Sequence, residues 1–332
     1  MDIRDYLSDD GQAVLALCSA LALPDGGGGA DLAPLKLSEW NQLAKQIHNS
    51  PLKQPAALQG RSAEDLAKDL VVPLDEAERL TQLLGRSGRL ALDLEALFSR
   101  GMWAVTRVDE QYPARLRESL KHQAPAVLFG AGDPTLLRRG GVAVIGSRNI
   151  DEAGAEFAKE VGRRAARVKL PVVSGGARGT DRLAMEGALE ADGVALGVLA
   201  DSLERTIRQP DLRQLLLDSQ LLLLTPYAPT AGFSVGGAMG RNKVIYGLAE
   251  FAVVVSSDFQ TGGTWAGAVE TLKAGWCPVF ARDGENVPKG NRELLKQGAA
   301  PLPETELGQM EDLREWLRQH VRVRPRETDL FD

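Results

Sequence analysis

The chain has 332 residues, 44% of them apolar, enough for one doubly wound domain with a smaller companion and a sizeable buried core. Its 39 Lys and Arg against 45 Asp and Glu leave a net charge of −6, which excludes a protein that coats itself onto nucleic acid by bulk charge; any polyanion site has to be local. The two cysteines, Cys18 and Cys277, lack CxxC or Cys/His spacing, which disfavours a disulfide framework or zinc site and fits a reducing cytoplasm. The acidic, polar start and the lack of an apolar run of ~18 residues predict neither an export signal nor a membrane span.

Residues 1–100 read as a small all-α domain, with helical apolar spacing over Gly11 to Leu23, Ser38 to His48, Ser62 to Leu70 and Leu74 to Leu84. Ser38 and Ser62 are placed as helix starts because a serine oxygen accepts the first free backbone N–H groups, and Gly26 to Gly29 form a flexible interruption. Residues 101–140 form a connector and lead-in. From 141 to 300 strand and helix patterns alternate, the mark of a parallel sheet covered on both faces. Strands are predicted at 142–146, 171–174, 194–199, 220–225, 251–256 and 277–281. Helices are expected to begin near Asp151, Thr180, Arg241 and Thr264, with shorter ones over Asp211 to Asp218 and Asn291 to Gln297. Residues 301–332 are a helical tail, with one amphipathic helix over Glu304 to Val323. The predicted class is α/β: an extended Rossmann-like parallel sheet domain preceded by a small all-α domain.

Gly-rich turns at strand-to-helix junctions carry the chemistry. In Gly146-Ser147-Arg148 and Ser174-Gly175-Gly176-Ala177-Arg178-Gly179-Thr180-Asp181, a buried strand ends in glycines that let backbone approach a ligand at the positive end of the next helix. Gly146 alone serves helix–strand packing as readily as phosphate contact; the second turn is stronger, since capping by Thr180 and Asp181 does not require three glycines. Asp181 is read as a cap or loop organiser. Phe233 to Asn242 reads as a long Gly-rich connection in which Arg241, Asn242 and Lys243 form a donor cluster for phosphate. Phe233 is the candidate for base stacking, with loop anchoring as its other reading. Thr261, Gly262 and Gly263 are secondary candidates. Trp265 and Trp276 are assigned to core packing or a subunit contact.

No catalytic residue, metal or cofactor is expected. His48, His122 and His320 form no constellation, no Walker lysine occurs, and the turn after the first core strand lacks Gly-x-Gly-x-x-Gly.

Taken in order, Tyr112-Pro113-Ala-Arg-Leu116, Pro125 to Gly130, Val144 to Arg148, Ser174 to Asp181 with Gly187-Ala-Leu189, Arg241 to Ile245 with Gly247-Leu248, Thr261 to Thr264 with Ala268, and Asn291 to Gly298 resemble the DNA-processing protein A family, DprA or Smf, over about residues 101–300. The resemblance implies a cytoplasmic, dimeric, extended Rossmann-like protein that binds single-stranded DNA and delivers it to a RecA-type recombinase in natural transformation, with repair and phage defence as other settings. It places the DNA-phosphate role on Gly146, Ser147, Arg148, Ser174, Gly175, Gly176, Arg178, Gly179, Arg241, Asn242 and Lys243; no winged-helix extension is expected after residue 300. Departures from the family pattern are Thr180 and Met185, where Ile and His are usual, Ser256-Ser257, and Arg282-Asp283-Gly284 in place of Pro-Gly.

LOG-type phosphoribohydrolases and nucleotide-sensing domains of defence or signalling systems share this architecture and are the alternatives. Their Pro-Gly-Gly-x-Gly-Thr-x-x-Glu pattern needs Gly-Thr where Trp265-Ala266 stand, and Glu270 falls one residue late.

Overall fold

The protein is described here by a computed structural model covering residues 7–23 and 32–322. The expected Gly26 to Gly29 interruption and the last residue of the expected Glu304 to Val323 helix fall outside the described residues.

Helices α1 (Asp9–Cys18), α2 (Leu37–Asn49), α3 (Ala63–Leu70), α4 (Leu74–Leu84) and α5 (Ser87–Ser99) precede β1 (Met102–Thr106), α6 (Ala114–Leu120) and β2 (Val127–Ala131). The alternating region runs β3 (Val142–Gly146), α7 (Glu152–Arg167), β4 (Val172–Ser174), α8 (Thr180–Glu190), β5 (Ala195–Val198), α9 (Leu203–Thr206), α10 (Pro210–Leu217) and β6 (Leu221–Thr225). It continues through α11 (Val235–Leu248), β7 (Phe251–Ser256), α12 (Gly262–Ala274), β8 (Val279–Asp283), α13 (Lys289–Lys296), β9 (Ala300–Pro303), α14 (Glu304–Leu307) and α15 (Leu313–Gln319). The strands form a nine-stranded sheet in the order β1-β2-β6-β5-β4-β3-β7-β8-β9. Pairing is parallel at β5–β4, β4–β3, β3–β7, β7–β8 and β8–β9, and antiparallel at β1–β2 and β2–β6.

The chain divides into two compact units. One takes the residues up to Leu137 with Ala200–Leu217 and Leu223–Ser234; the other takes Arg138–Leu199, Asp218–Leu222 and the residues from Val235.

In the first unit Trp40, Leu43 and Ile47 of α2 and Ala77, Leu80 and Leu83 of α4 are buried at helical spacing. The Ser62 hydroxyl accepts from Asp65 N at 3.1 Å and caps α3. Buried Asp109 accepts from Ser8 N at 3.0 Å and Thr106 N at 2.8 Å, tying the start of α1 to the end of β1. Three expectations are corrected. The first helix stops at Cys18 rather than Leu23; Ser38 lies inside α2, where Glu39 instead accepts from Lys36 N at 2.6 Å; and α5, which buries Leu90, Leu94 and Leu97, stands in a stretch where no helix was expected.

In the second unit β3 and β7 are buried side by side, Val142 pairing Phe251 and Val144 pairing Val253. α7 and α8 pack backbone against backbone. A Cβ on Gly162 would stand 2.2 Å from Ala184 O, and one on Gly187 would stand 2.2 Å from Lys159 O, so only glycine permits this approach. Here too the expectations are corrected. α11 begins at Val235, not Arg241, because the buried run Val244 to Leu248 carries the helix back through Gly240, Gly237 and Gly236. The tail is two short helices, α14 and α15, with β9 before them: Pro303 ends the strand and caps α14, and Asp312 caps α15.

Candidate anion site at the strand ends

Parallel pairing places the carboxyl ends of β3 and β4 next to each other, the position where open α/β sheets gather their ligand turns. The two turns are locked together. Thr180 N and Oγ1 donate to Ser147 O at 3.3 and 3.1 Å, and a Cβ on Gly146 would stand 2.4 Å from Thr180 Oγ1. Gly179 has φ +87°, and a Cβ there would stand 2.5 Å from Arg148 O and 2.7 Å from Ser147 O. A side chain at 179 is therefore refused twice, by the backbone region and by the neighbouring carbonyls.

Beneath the second turn lies a buried charged pair. Asp181 accepts from Gly175 N at 3.2 Å and from Ala177 N, so it organises the loop from within the first turn of α8. Burial pushes its carboxyl up to about 6, with Arg241 and the backbone donors pulling the other way. The Arg241 guanidinium, 6% exposed, lies under Gly175, where a Cβ would stand 1.9 Å from its Nη1, and it donates to Val198 O at 2.5 Å.

This arrangement sorts the residues expected to meet phosphate. Arg148, Gly176 and Arg178 are exposed on the locked turns, with Ser147 and Gly179 half-buried between them. Three expectations are corrected by burial. The Ser174 hydroxyl is fully buried and donates to Val144 O at 2.6 Å; Gly175 is covered from below by Arg241; and Arg241 supports the turn rather than facing solvent.

Two positions along α11 is a rotation of about 200°, so Lys243 leaves the helix on another side from Arg241. It pairs with Glu270 of α12 at 2.7 Å and lies 5.6 Å from the ring of Trp276. With Asn242, which donates to Gly263 O at 3.3 Å, it lines a separate cleft of about 240 Å³. The four basic residues therefore do not share one direction. Thr261 and Gly262 are exposed and Gly263 half-buried at the start of α12. Phe233 is 55% exposed in the segment before α11, which shortens the expected 233–242 loop to its first residues.

Trp276 is buried, while half-buried Trp265 meets Phe259 edge-on at 5.1 Å. At the departures from the family pattern the chain makes its own bonds. Thr180 binds the first turn, Met185 is buried in α8, and Arg282, 1% exposed, pairs with Glu304 and with Asp151 at 3.5 Å. Asn291 opens the last motif of the family resemblance. It is fully buried, accepts from Ser257 N at 2.9 Å and donates to Val255 O and Arg282 O at 3.1 Å, fixing the end of β7. Its signal in the sequence was a polar residue at an apolar position of α13.

The pattern of the family described as DNA recombination-mediator protein A matches residues 103–313, which takes in both locked turns. The chain belongs to this family. It is 30% identical over 281 residues to a putative DNA processing protein of Mycobacterium tuberculosis, covering 78% of this chain and 71% of that one. It is 28% identical over 216 residues to the DNA processing protein DprA of Bacillus subtilis, covering 63% and 71%. Among solved structures, DNA processing protein A of Streptococcus pneumoniae superposes with a TM-score of 0.65 at 20% identity, over 96% of this chain and all of that one. A Helicobacter pylori family member, solved for its single-stranded DNA binding mode, superposes with a TM-score of 0.53 at 22% identity, over 66% of this chain and 97% of that one. At these identities the likeness is one of fold. Among the described residues no helix is long and apolar enough to cross a membrane.

Proposed function

We propose that this family member binds single-stranded DNA by its phosphates at the turns after β3 and β4, without catalysing a reaction, and takes part in DNA uptake or recombination. One observation carries the reading: Gly179 seats its turn on the carbonyls of Ser147 and Arg148, so exposed Arg148 and Arg178 ride on two turns fixed to each other. Preorganised cations on rigid backbone lose little freedom when they meet a phosphate, and they read no base. Handover to a RecA-type recombinase, a homodimeric assembly and a cytoplasmic setting complete the proposal, on the strength of family membership.

A salt series tests it. Single-strand binding should weaken with a steep log–log slope, and Arg148→Ala and Arg178→Ala should each flatten that slope by ~0.7. Lys243→Ala, already held by Glu270, should change it less. Unchanged slopes in both arginine variants, with unfolding curves like the parent's, would remove the turns from the site.

A further inference from the structure

A second basic surface lies far from these turns in the sequence, in the first unit. A cleft of about 530 Å³ beside α2 is lined by Lys45 and His48 of that helix, by Arg107 after β1, by Arg117 of α6, and by Lys121 and His122 just after α6. Lys45 and His48 are three apart on α2 and so share a face. Among the described residues no Asp or Glu lines this cleft, in a chain whose net charge is −6.

Among the described residues the two guanidinium groups are bonded to neutral acceptors. Arg107 donates to Ala124 O at 3.1 Å and to Asn41 Oδ1 at 2.7 Å; Arg117 donates to Asp109 O at 3.2 Å and lies 5.7 Å from the ring centre of Tyr112. Among the described residues, none of Lys45, Arg107, Arg117 or Lys121 forms an ion pair with a carboxylate. Half-buried Arg107 is held below its ordinary range by burial, and Arg117 lowers it further. Arg107 is the half-buried charge of the two and Arg117 is exposed, so an anion entering the cleft meets one partly desolvated guanidinium beside a solvated one.

We infer that this cleft is a second phosphate-binding surface, taking the backbone of a nucleic-acid strand. Its exposed cations, Lys45 on α2 and Lys121 after α6, stand on different elements with the exposed His48 and His122 rings beside them, an arrangement suited to successive phosphates rather than to one enclosed anion. Asn49 adds a neutral donor, while Asn41 ties the cleft together, its Nδ2 donating to His122 O at 2.7 Å and its Oδ1 accepting from Arg107. The inference rests on the reading of the chain as a DNA binder, but uses none of the residues of the strand-end turns.

The test is lysine footprinting by acylation and mass spectrometry on the full chain, with thymidine oligonucleotide of about 20 nucleotides, longer than the ~4–16 that one binding fold occupies. Parallel arms contain thymidine monophosphate and inorganic phosphate at equal phosphate concentration. The oligonucleotide should lower labelling of Lys45 and Lys121 several-fold while the small anions should not. Protection as complete with inorganic phosphate or the mononucleotide would overturn the strand assignment in favour of a small-anion site, and no protection would overturn the cleft. In the salt series, Lys45→Gln/Lys121→Gln, both at exposed positions, should flatten the slope by ~1.4. If Arg178→Ala flattens the slope and this double variant does not, the cleft fails while the strand-end site stands; if the reverse holds, the strand-end site fails and the cleft stands.

Discussion

At the scale of single residues the site depends on Asp181, which is both buried and charged. Its carboxyl is ordinarily near 3.8 and is raised to about 6 in the fold, chiefly by burial. The folded form therefore holds the proton more tightly than the unfolded chain. Below about pH 4 both forms are protonated; between about 4 and 6 stability falls as pH rises; above 6 the full cost, about 3 kcal/mol, remains. Asp181→Asn retains an oxygen to accept from Gly175 N and should lose this segment of the pH profile. Urea unfolding of both proteins from pH 4 to 7 measures it, and parallel profiles would refute the assignment. The role of Asp181 as a loop organiser could be read from its place just after the glycines. That Arg241, 60 residues further on, lies under the same turn could not, because helix rotation and burial decide which way a lysine or arginine points and local sequence does not record it.

At the scale of elements, the strands with continuous apolar β-branched runs were legible almost to the residue: 142–146 and 251–256 coincide with β3 and β7. What escaped was set by tertiary contact. β1 and β2 hide in a stretch whose polar turns masked them, and α11 extends through glycines that local propensity reads as a loop. The glycines themselves divide into two kinds. Gly187→Val should destabilise the protein by about 1–3 kcal/mol or more, because its Cβ would collide with Lys159 O in the neighbouring helix. Gly236 in α11 has nothing within 4 Å of an added Cβ, so Gly236→Ala should instead stabilise it by about 0.5–1 kcal/mol. Chemical denaturation of the pair gives both signs in one experiment; a neutral Gly187→Val would mean that α7 and α8 can separate freely.

At the scale of the whole molecule, a net charge of −6 sets an unfavourable background for a polyanion, so binding has to come from several local cationic sites engaged in series. Affinity should then climb as an oligonucleotide lengthens from one nucleotide to several, since a single phosphate meets one turn only. An enzyme or sensor for a mononucleotide predicts the opposite, full strength at one nucleotide. An N-glycosidic hydrolase would also need a carboxylate free to act at the sugar. Glu270, the nearest counterpart in the sequence, is held by Lys243 at 2.7 Å on the cleft between α11 and α12. Glu270→Gln frees Lys243 and should therefore leave the rise of affinity with length intact or steepen it, and neither protein should release base from nucleoside monophosphates. Tight binding of the mononucleotide, or base release that disappears with Glu270, would replace the DNA reading with a nucleotide one, because no phosphate-tracking surface needs that carboxylate.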